Sequence, residues 1–484
     1  MPVSNTLPLA ALPAWFAQSR PDEPALICGT DVCSWAELDA RSAAVARSLV
    51  ARGVRPDDMV TIALPNGIDF VVACFAAWKA GATPQPVSSH LPQIELDAII
   101  ELARSSAVIA EPGLVTSYSS SSLDELIAAS DRSIMLPDHV AASWKAPTSG
   151  GSTGRPKIIV ATANALCDPE TPAAWRFQDG GTAIMPGPLY HTGPFGTTIH
   201  ALTAGCKVVI MPRFDAGEVL ALVDRHRADW LYLVPTMMNR IWKLGDEARA
   251  RHDLSSLKTM WHLAAPCPAW LKQAWIDWLG GDVIWELYGA TEGMAATVIN
   301  GTEWLEHPGS VGKMFVGSIR ILDDAGRELP PGETGELFMR AADPAADSFR
   351  YIGAEAEKRD GWQSLGDMGH FDAEGYLYLA DRRGDMIIIG GANVYPAEIE
   401  AALEEHPQVE SCAVIGLPDD DLGARAHAIV QPRGVIDEEA LRDFLADRLV
   451  RYKRPRSFEF VDMPLRDNAG KVRRSQLRAE RIAP

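Results

Sequence analysis

The sequence predicts an α/β protein. It comprises a large N-terminal part built on a mostly parallel sheet, an antiparallel β region after it, and a small α+β domain at the C-terminal end. Three observations carry this reading. Strand-like apolar runs alternate with helical periodicity through the first three hundred residues or so. From about Gly309 the texture changes to short strands broken by turns. A charged turn, Asp381-Arg382-Arg383-Gly384-Asp385, then precedes a last group of elements.

In order, Ser34 and Glu37 form a capping box, Trp35, Leu38, Val45 and Leu49 recur at helical spacing, and Gly53 supplies a stop. A buried strand is expected over 60–64, ending at Pro65-Asn66-Gly67, followed by a helix over 70–78. Strands over 107–110, 207–211 and 230–234 alternate with helical stretches such as 217–227, the pattern of a parallel sheet with covered faces. Segments 318–322 and 335–339, separated by the turn Asp323-Asp324-Ala325-Gly326, read as antiparallel structure and as part of a small barrel. Beyond the charged turn come a strand at 386–389, a helix over 396–405, strands at 411–415 and 426–430 and a helix over 438–450. The expected domains are therefore 1–383 and 384–484.

The chain has 484 residues, 47% hydrophobic and 23% charged, which is ordinary globular composition. With 64 acidic against 45 basic residues, its net charge of -19 disfavours nucleic acid or an anionic membrane as partner. The 7 cysteines are scattered with no CxxC pair, which fits reduced thiols. The N-terminus lacks the pattern of a signal peptide, and no apolar run is long enough to span a bilayer. The expectation is a cytoplasmic protein, with a homodimer compatible and nothing in the sequence deciding it.

The segment Thr148-Ser149-Gly150-Gly151-Ser152-Thr153-Gly154-Arg155-Pro156-Lys157 is equipped to hold phosphate. Its glycines leave backbone N–H groups free to approach an anion, its hydroxyls add donors, and Lys157 closes it with a fixed charge. It is not a Walker A loop, because Arg155-Pro156 follows Gly154. Alone, such a loop also fits a plain connector. Its companions decide the matter: Trp285-Glu286-Leu287-Tyr288-Gly289-Ala290-Thr291-Glu292-Gly293, Pro188-Leu189-Tyr190-His191, Ala264-Ala265-Pro266, Gly366-Asp367, Asp381-Arg382 and Asn468-Ala469-Gly470-Lys471.

Together these motifs resemble the adenylate-forming (AMP-binding) superfamily, and within it acyl-CoA synthetases of the bile-acid and steroid-acid CoA ligase type. The resemblance covers nearly the whole chain. It implies ATP, Mg²⁺ and coenzyme A as cosubstrates and cofactor, a small-molecule carboxylic acid as substrate, and a mobile C-terminal domain. Activating an acid requires its carboxylate to attack the α-phosphate, so charge must be spread over two converging anions. The resemblance gives Lys471 that bridging role, Glu292 the Mg²⁺ and Thr291 the α-phosphate. Tyr288 and Gly289, with Ala264 and Ala265, would frame adenine, Asp367 and Arg382 would take the ribose hydroxyls, and the glycine loop would hold the β- and γ-phosphates.

For the transfer to CoA, the resemblance assigns the tunnel to Gly390 and Gly391 and the CoA phosphates to Tyr452, Arg454 and Arg456. His191 would gate the acyl pocket, with Gly193 and Ala290 leaving it wide. Two positions depart from relatives. The hinge is Gly384 where others carry a side chain, and Leu422 stands where several have an aromatic. The expected reaction is acid:CoA ligation on a bulky polycyclic or terpenoid acid, with a medium-chain or aryl acid second. The alternatives are an enzyme dominated by thioesterification of an adenylate made elsewhere, and an adenylation enzyme that loads a carrier protein.

Overall fold

Parallel strands need long return connections, and here these are helices laid on both sheets. The computed structural model describes residues 6–114, 116–150, 156–170, 175–343, 347–356, 358–389, 392–419, 421–467 and 470–482. The expected single parallel sheet is two. Strand Met59–Ala63 lies between Thr83–Pro86 and Ala107–Ala110, all parallel, in a three-stranded sheet of its own. The second sheet has nine strands, and its parallel centre runs Ile284–Gly289, Thr259–His262, Trp230–Leu233, Thr182–Met185, Lys207–Ile210, Pro24–Cys28. No local pattern distinguishes one sheet from two, because neighbouring strands in space are far apart in sequence.

Helix Trp35–Ala51 begins where the sequence places it. The Glu37 N–H donates to the Ser34 hydroxyl at 3.2 Å, and the Ser34 N–H donates to the Glu37 carboxylate at 2.8 Å. Its buried stripe of Trp35, Leu38, Val45 and Leu49 joins a core that also takes Trp78, Trp230, Trp261 and Trp275. Helix Ile68–Lys79 is buried almost all round, which is why it reads as a continuous apolar run.

The antiparallel region pairs Ser318–Leu322 with Gly335–Arg340 and the latter with Trp362–Phe371, which also takes Leu377–Arg382. A separate core beyond it gathers Ile387, Val394, Ile399, Leu403, Val414, Val430, Leu441 and Leu445. There the hairpin Val409–Asp419 and Gly423–Pro432 is longer than expected. Helix Glu438–Ala446 is shorter than the 438–450 predicted. The Arg454 guanidinium reaches back and donates to the carbonyls of Ala446 and Leu449, satisfying the helix end at a point the side-chain periodicity does not mark. All seven cysteines are free thiols. Among the described residues no helix is long and apolar enough to cross a membrane.

Candidate active site

In a parallel sheet the C-terminal ends of the strands open onto one crevice, and the motifs singled out above sit at those ends. The loop to His191 follows strand Thr182–Met185, Val234 and Thr236 follow Trp230–Leu233, Ala264 and Ala265 follow Thr259–His262, and Tyr288 to Glu292 close Ile284–Gly289. Ala264 adopts φ of 77°, a left-handed conformation that costs an alanine about 1–2 kcal/mol and that clusters at functional sites. Asn66 ties the His191 loop down. Its side-chain NH₂ donates to the Gly187 carbonyl at 2.8 Å and to that of Met211 at 3.1 Å, while its Oδ1 accepts the Leu189 N–H at 2.8 Å.

On the phosphate side, Thr148–Gly150 pairs antiparallel with Pro156–Ala161, so Ser149 stands opposite Lys157 at the base of a hairpin. Gly151, Ser152, Thr153 and Gly154 lie outside the described residues, as do the side chains of Ser149 and Arg382. Lys157 Nζ lies 3.7 Å from a carboxylate oxygen of the buried Glu292 and 3.9 Å from the Tyr351 ring centroid. Tyr351 donates its hydroxyl proton to the same carboxylate at 2.6 Å. Burial and this contact push the Tyr351 pKa far up, so the phenol stays a donor. Sequence reasoning missed Tyr351. Only strand Phe349–Ile352, paired beside Pro156–Ala161, brings it there.

Tyr288 and Asp367, 79 positions apart, are joined by a hydrogen bond of 2.7 Å from the phenol to the carboxylate. Asp367 in turn faces Arg382 across the strand pair. An aromatic face and a diol acceptor thus stand side by side. Among the described residues no cluster of three or more His, Cys, Asp or Glu could hold a metal. The single carboxylate of Glu292 suits Mg²⁺, which is often held by one or two carboxylates with the remaining positions filled by phosphate and water.

The C-terminal domain reaches into this crevice. The turn 467–471 is closed by the Asp467 carboxylate, which accepts the Lys471 N–H at 2.9 Å, and it rests on the body at Gly470. A Cβ built on Gly470 would lie 2.8 Å from the Thr236 Oγ1, and its φ is 77°. Lys471 therefore stands close to His191. Burial first, then the Lys471 charge, lowers the His191 pKa to about 4, so the imidazole is neutral at neutral pH. Its Nε2 is buried and meets no hydrogen-bond partner among the described residues. Further out, Lys243 donates to the Val409 carbonyl, and Arg433 donates to the Lys243 carbonyl at 3.1 Å. Gly470→Ala is expected to slow adenylate formation by roughly 5- to 30-fold, from the 1–2 kcal/mol left-handed penalty alone. Pyrophosphate release checks this, and an undiminished rate would show that the turn does not need to seat here.

Of the residues expected at CoA, Arg454 donates from Nε and one Nη to the two helix-end carbonyls. Arg456 stays largely exposed, 3.4 Å from Asp419, and Tyr452 is half exposed. Gly390 and Gly391 lie outside the described residues. Gly193 is small for packing reasons, since a Cβ there would meet the Tyr232 hydroxyl at 2.7 Å and Leu263 at 3.1 Å. Gly384 sits between two anchors. Arg383 binds Glu336 and Asp324 at 2.8 Å each, while Asp385 accepts from Arg474 at 2.9 Å. Leu422 packs on the C-terminal core.

The sequence pattern of the AMP-binding enzyme family matches residues 14–345, and that of the AMP-binding enzyme C-terminal domain matches 398–471. A feruloyl-CoA synthase of Amycolatopsis sp. is 33% identical over 97% of this chain and 98% of its own. Among solved structures, the o-succinylbenzoate CoA synthetase of Bacillus subtilis with its acyl-adenylate superposes at a TM-score of 0.84, with 26% identity over 98% of both chains. The same synthetase with ATP and magnesium ion gives a TM-score of 0.82 at 25% identity, over 98% of this chain and 100% of the other.

Proposed function

Because the chain belongs to the AMP-binding enzyme family and is an ATP-dependent, AMP-forming acyl-CoA synthetase, we propose that Lys471 is the cation of its adenylation step and that its acid is bulky and ring-bearing. The observation that carries the proposal is the Gly470 turn seated on Thr236, with Lys471 beside the neutral His191, whose Nε2 has no hydrogen-bond partner among the described residues. In that position the ammonium can hold the acid carboxylate against the α-phosphate as the carboxylate attacks and pyrophosphate leaves, lowering the charge repulsion between them. Thr291 would bond the α-phosphate. Tyr288 offers a face for adenine, Asp367 and Arg382 the partners for the ribose hydroxyls, and Lys157 with the hairpin 148–157 the donors for the outgoing phosphates. Mg²⁺, bound at Glu292, would supply charge neutralisation on the phosphates. The Tyr351 hydroxyl and Lys157 hold that carboxylate in place.

For the second half-reaction, Gly384 is the joint about which the C-terminal domain would turn, free of side-chain contacts between the anchored Arg383 and Asp385. Gly390, Gly391, Tyr452 and Arg456 would then meet CoA. On the acid, the aromatic wall along helix Thr192–Thr203, with Trp144 stacked on Phe195, favours a polycyclic or terpenoid carboxylate. A single-ring aryl acid is the second reading, favoured by the feruloyl and succinylbenzoate names of the relatives. An AMP-release assay over sterol, terpenoid, aryl and fatty acids with CoA tests it. The expected result is the highest kcat/KM on a multi-ring acid, with pyrophosphate also released in the absence of CoA. Release only with CoA, or only from a synthetic adenylate, would favour a thioesterifying enzyme instead.

A further inference from the structure

We propose that Lys145 and His200 form a polar end to the acid-binding cleft and that the preferred acid carries a second carboxylate there, remote from the one that is activated. The proposal rests on the reading of helix Thr192–Thr203 as a wall of that cleft.

Three lysines are buried among the described residues: Lys79, Lys145 and Lys272. Lys79 bonds the Asp39 carboxylate, and Lys272 pairs with Glu286 at 2.5 Å. Lys145, 7% exposed, has neither an ion pair nor a hydrogen bond to its Nζ among the described residues, and its only close partner is the Trp144 ring at 4.8 Å. The side chain is buried along its length while its Nζ keeps a narrow opening, so a charge with no carboxylate beside it is offered to an anion that enters there. Burial lowers the Lys145 pKa to about 8, which still leaves most of it charged at neutral pH. Glu292 favours that charge from a distance, while its own carboxylate is engaged by Tyr351 and Lys157.

The surroundings say where such an anion would sit. Trp144 stacks on Phe195 with ring centroids 5.7 Å apart, and the only neighbour that a Cβ on Gly196 would meet within 4 Å is the Trp144 ring. His200 lies one turn further along, 6.2 Å from Trp144 and 6.2 Å from Trp175 by ring centroids. Burial, then Lys145, lowers the His200 pKa to about 4, so a neutral imidazole stands ready to donate one N–H to an oxygen that Lys145 also binds. His191 precedes the first turn of the same helix at the reacting end. Nine residues of helical rise offset the two histidines by about 13 Å along the helix axis, and a diacid of about that span is the one to try.

The test compares a rigid or long dicarboxylic acid of that span with its ω-methyl ester, in AMP release by the wild-type protein and by K145M and K145R. The wild type is expected to prefer the free diacid, and K145M to lower the diacid-to-ester ratio of kcat/KM by about 10- to 100-fold, the worth of a hydrogen bond to a charged group. K145R should keep most of the ratio. A ratio unchanged in K145M, or a wild type that prefers the ester, overturns the proposal, and the wild-type comparison stands even where a variant fails to fold. If neither acid nor any monoacid of the wider panel releases AMP, it is the acid-activating reading itself that fails.

Discussion

Lys471→Ala is expected to lower adenylate formation by about 10²- to 10³-fold, the loss seen when one preorganised charge-stabilising group is removed from a reacting centre. The physical reason is positional. The turn closed by Asp467 places the lysine beside His191 at the mouth of the crevice, and among the described residues no other lysine or arginine acts on that imidazole. Thioester formation from a synthetic acyl adenylate and CoA should survive within a few-fold, since that step needs no contact between the carboxylate and the α-phosphate. Single-turnover measurement of the two half-reactions separates the outcomes. Equal loss of both would overturn the assignment of Lys471 to the first step alone.

Glu400→Gln is expected to destabilise the C-terminal domain by about 3–5 kcal/mol, because it leaves two partly buried arginines facing a buried neutral amide. Glu400 accepts from Arg466 at 2.9 Å, from Arg474 at 2.8 Å and from the Val414 N–H at 2.8 Å. Arg466 also donates to the Gly470 carbonyl at 3.2 Å, so the same network holds the base of the Lys471 turn. Chemical unfolding of the intact chain measures the first effect and adenylate formation the second. A pH scan adds a check with a definite sign. Burial alone would raise the Glu400 pKa, but Arg474 and Arg466 outweigh it and hold it below the ordinary carboxylate value. The stabilisation is therefore present above the unfolded pKa and lost as pH falls through the lower folded one. The variant should lack that acid-side loss, and an identical pH dependence in both proteins would show that Glu400 is not its source.

Much of the candidate site was legible because its chemistry is written in contiguous residues. The Ser34–Glu37 box, the paired strands Thr148–Gly150 and Pro156–Ala161, Tyr288 to Glu292 and Gly470-Lys471 each join a backbone conformation to a residue type over a few positions. What escaped is made of pairs far apart in the chain. Tyr351 and Glu292 are 59 positions apart, and Tyr288 and Asp367 are 79. Arg454 read as a CoA ligand because its basic neighbours are adjacent in sequence, whereas the carbonyls it caps are visible only once the helix has ended. Gly193 read as pocket space, and only the packed Tyr232 and Leu263 show that it makes room for protein.

By itself, then, the sequence determined the alternation of strands and helices and the family, and it named the candidate reactive groups, since periodicity and short motifs are local properties of the chain. The tertiary structure alone decided that there are two sheets, that Lys471 stands beside His191, and that Lys145 is buried with no ion pair among the described residues. These depend on which distant segments pack together, and burial is what converts an ordinary lysine or histidine into a group that demands a partner.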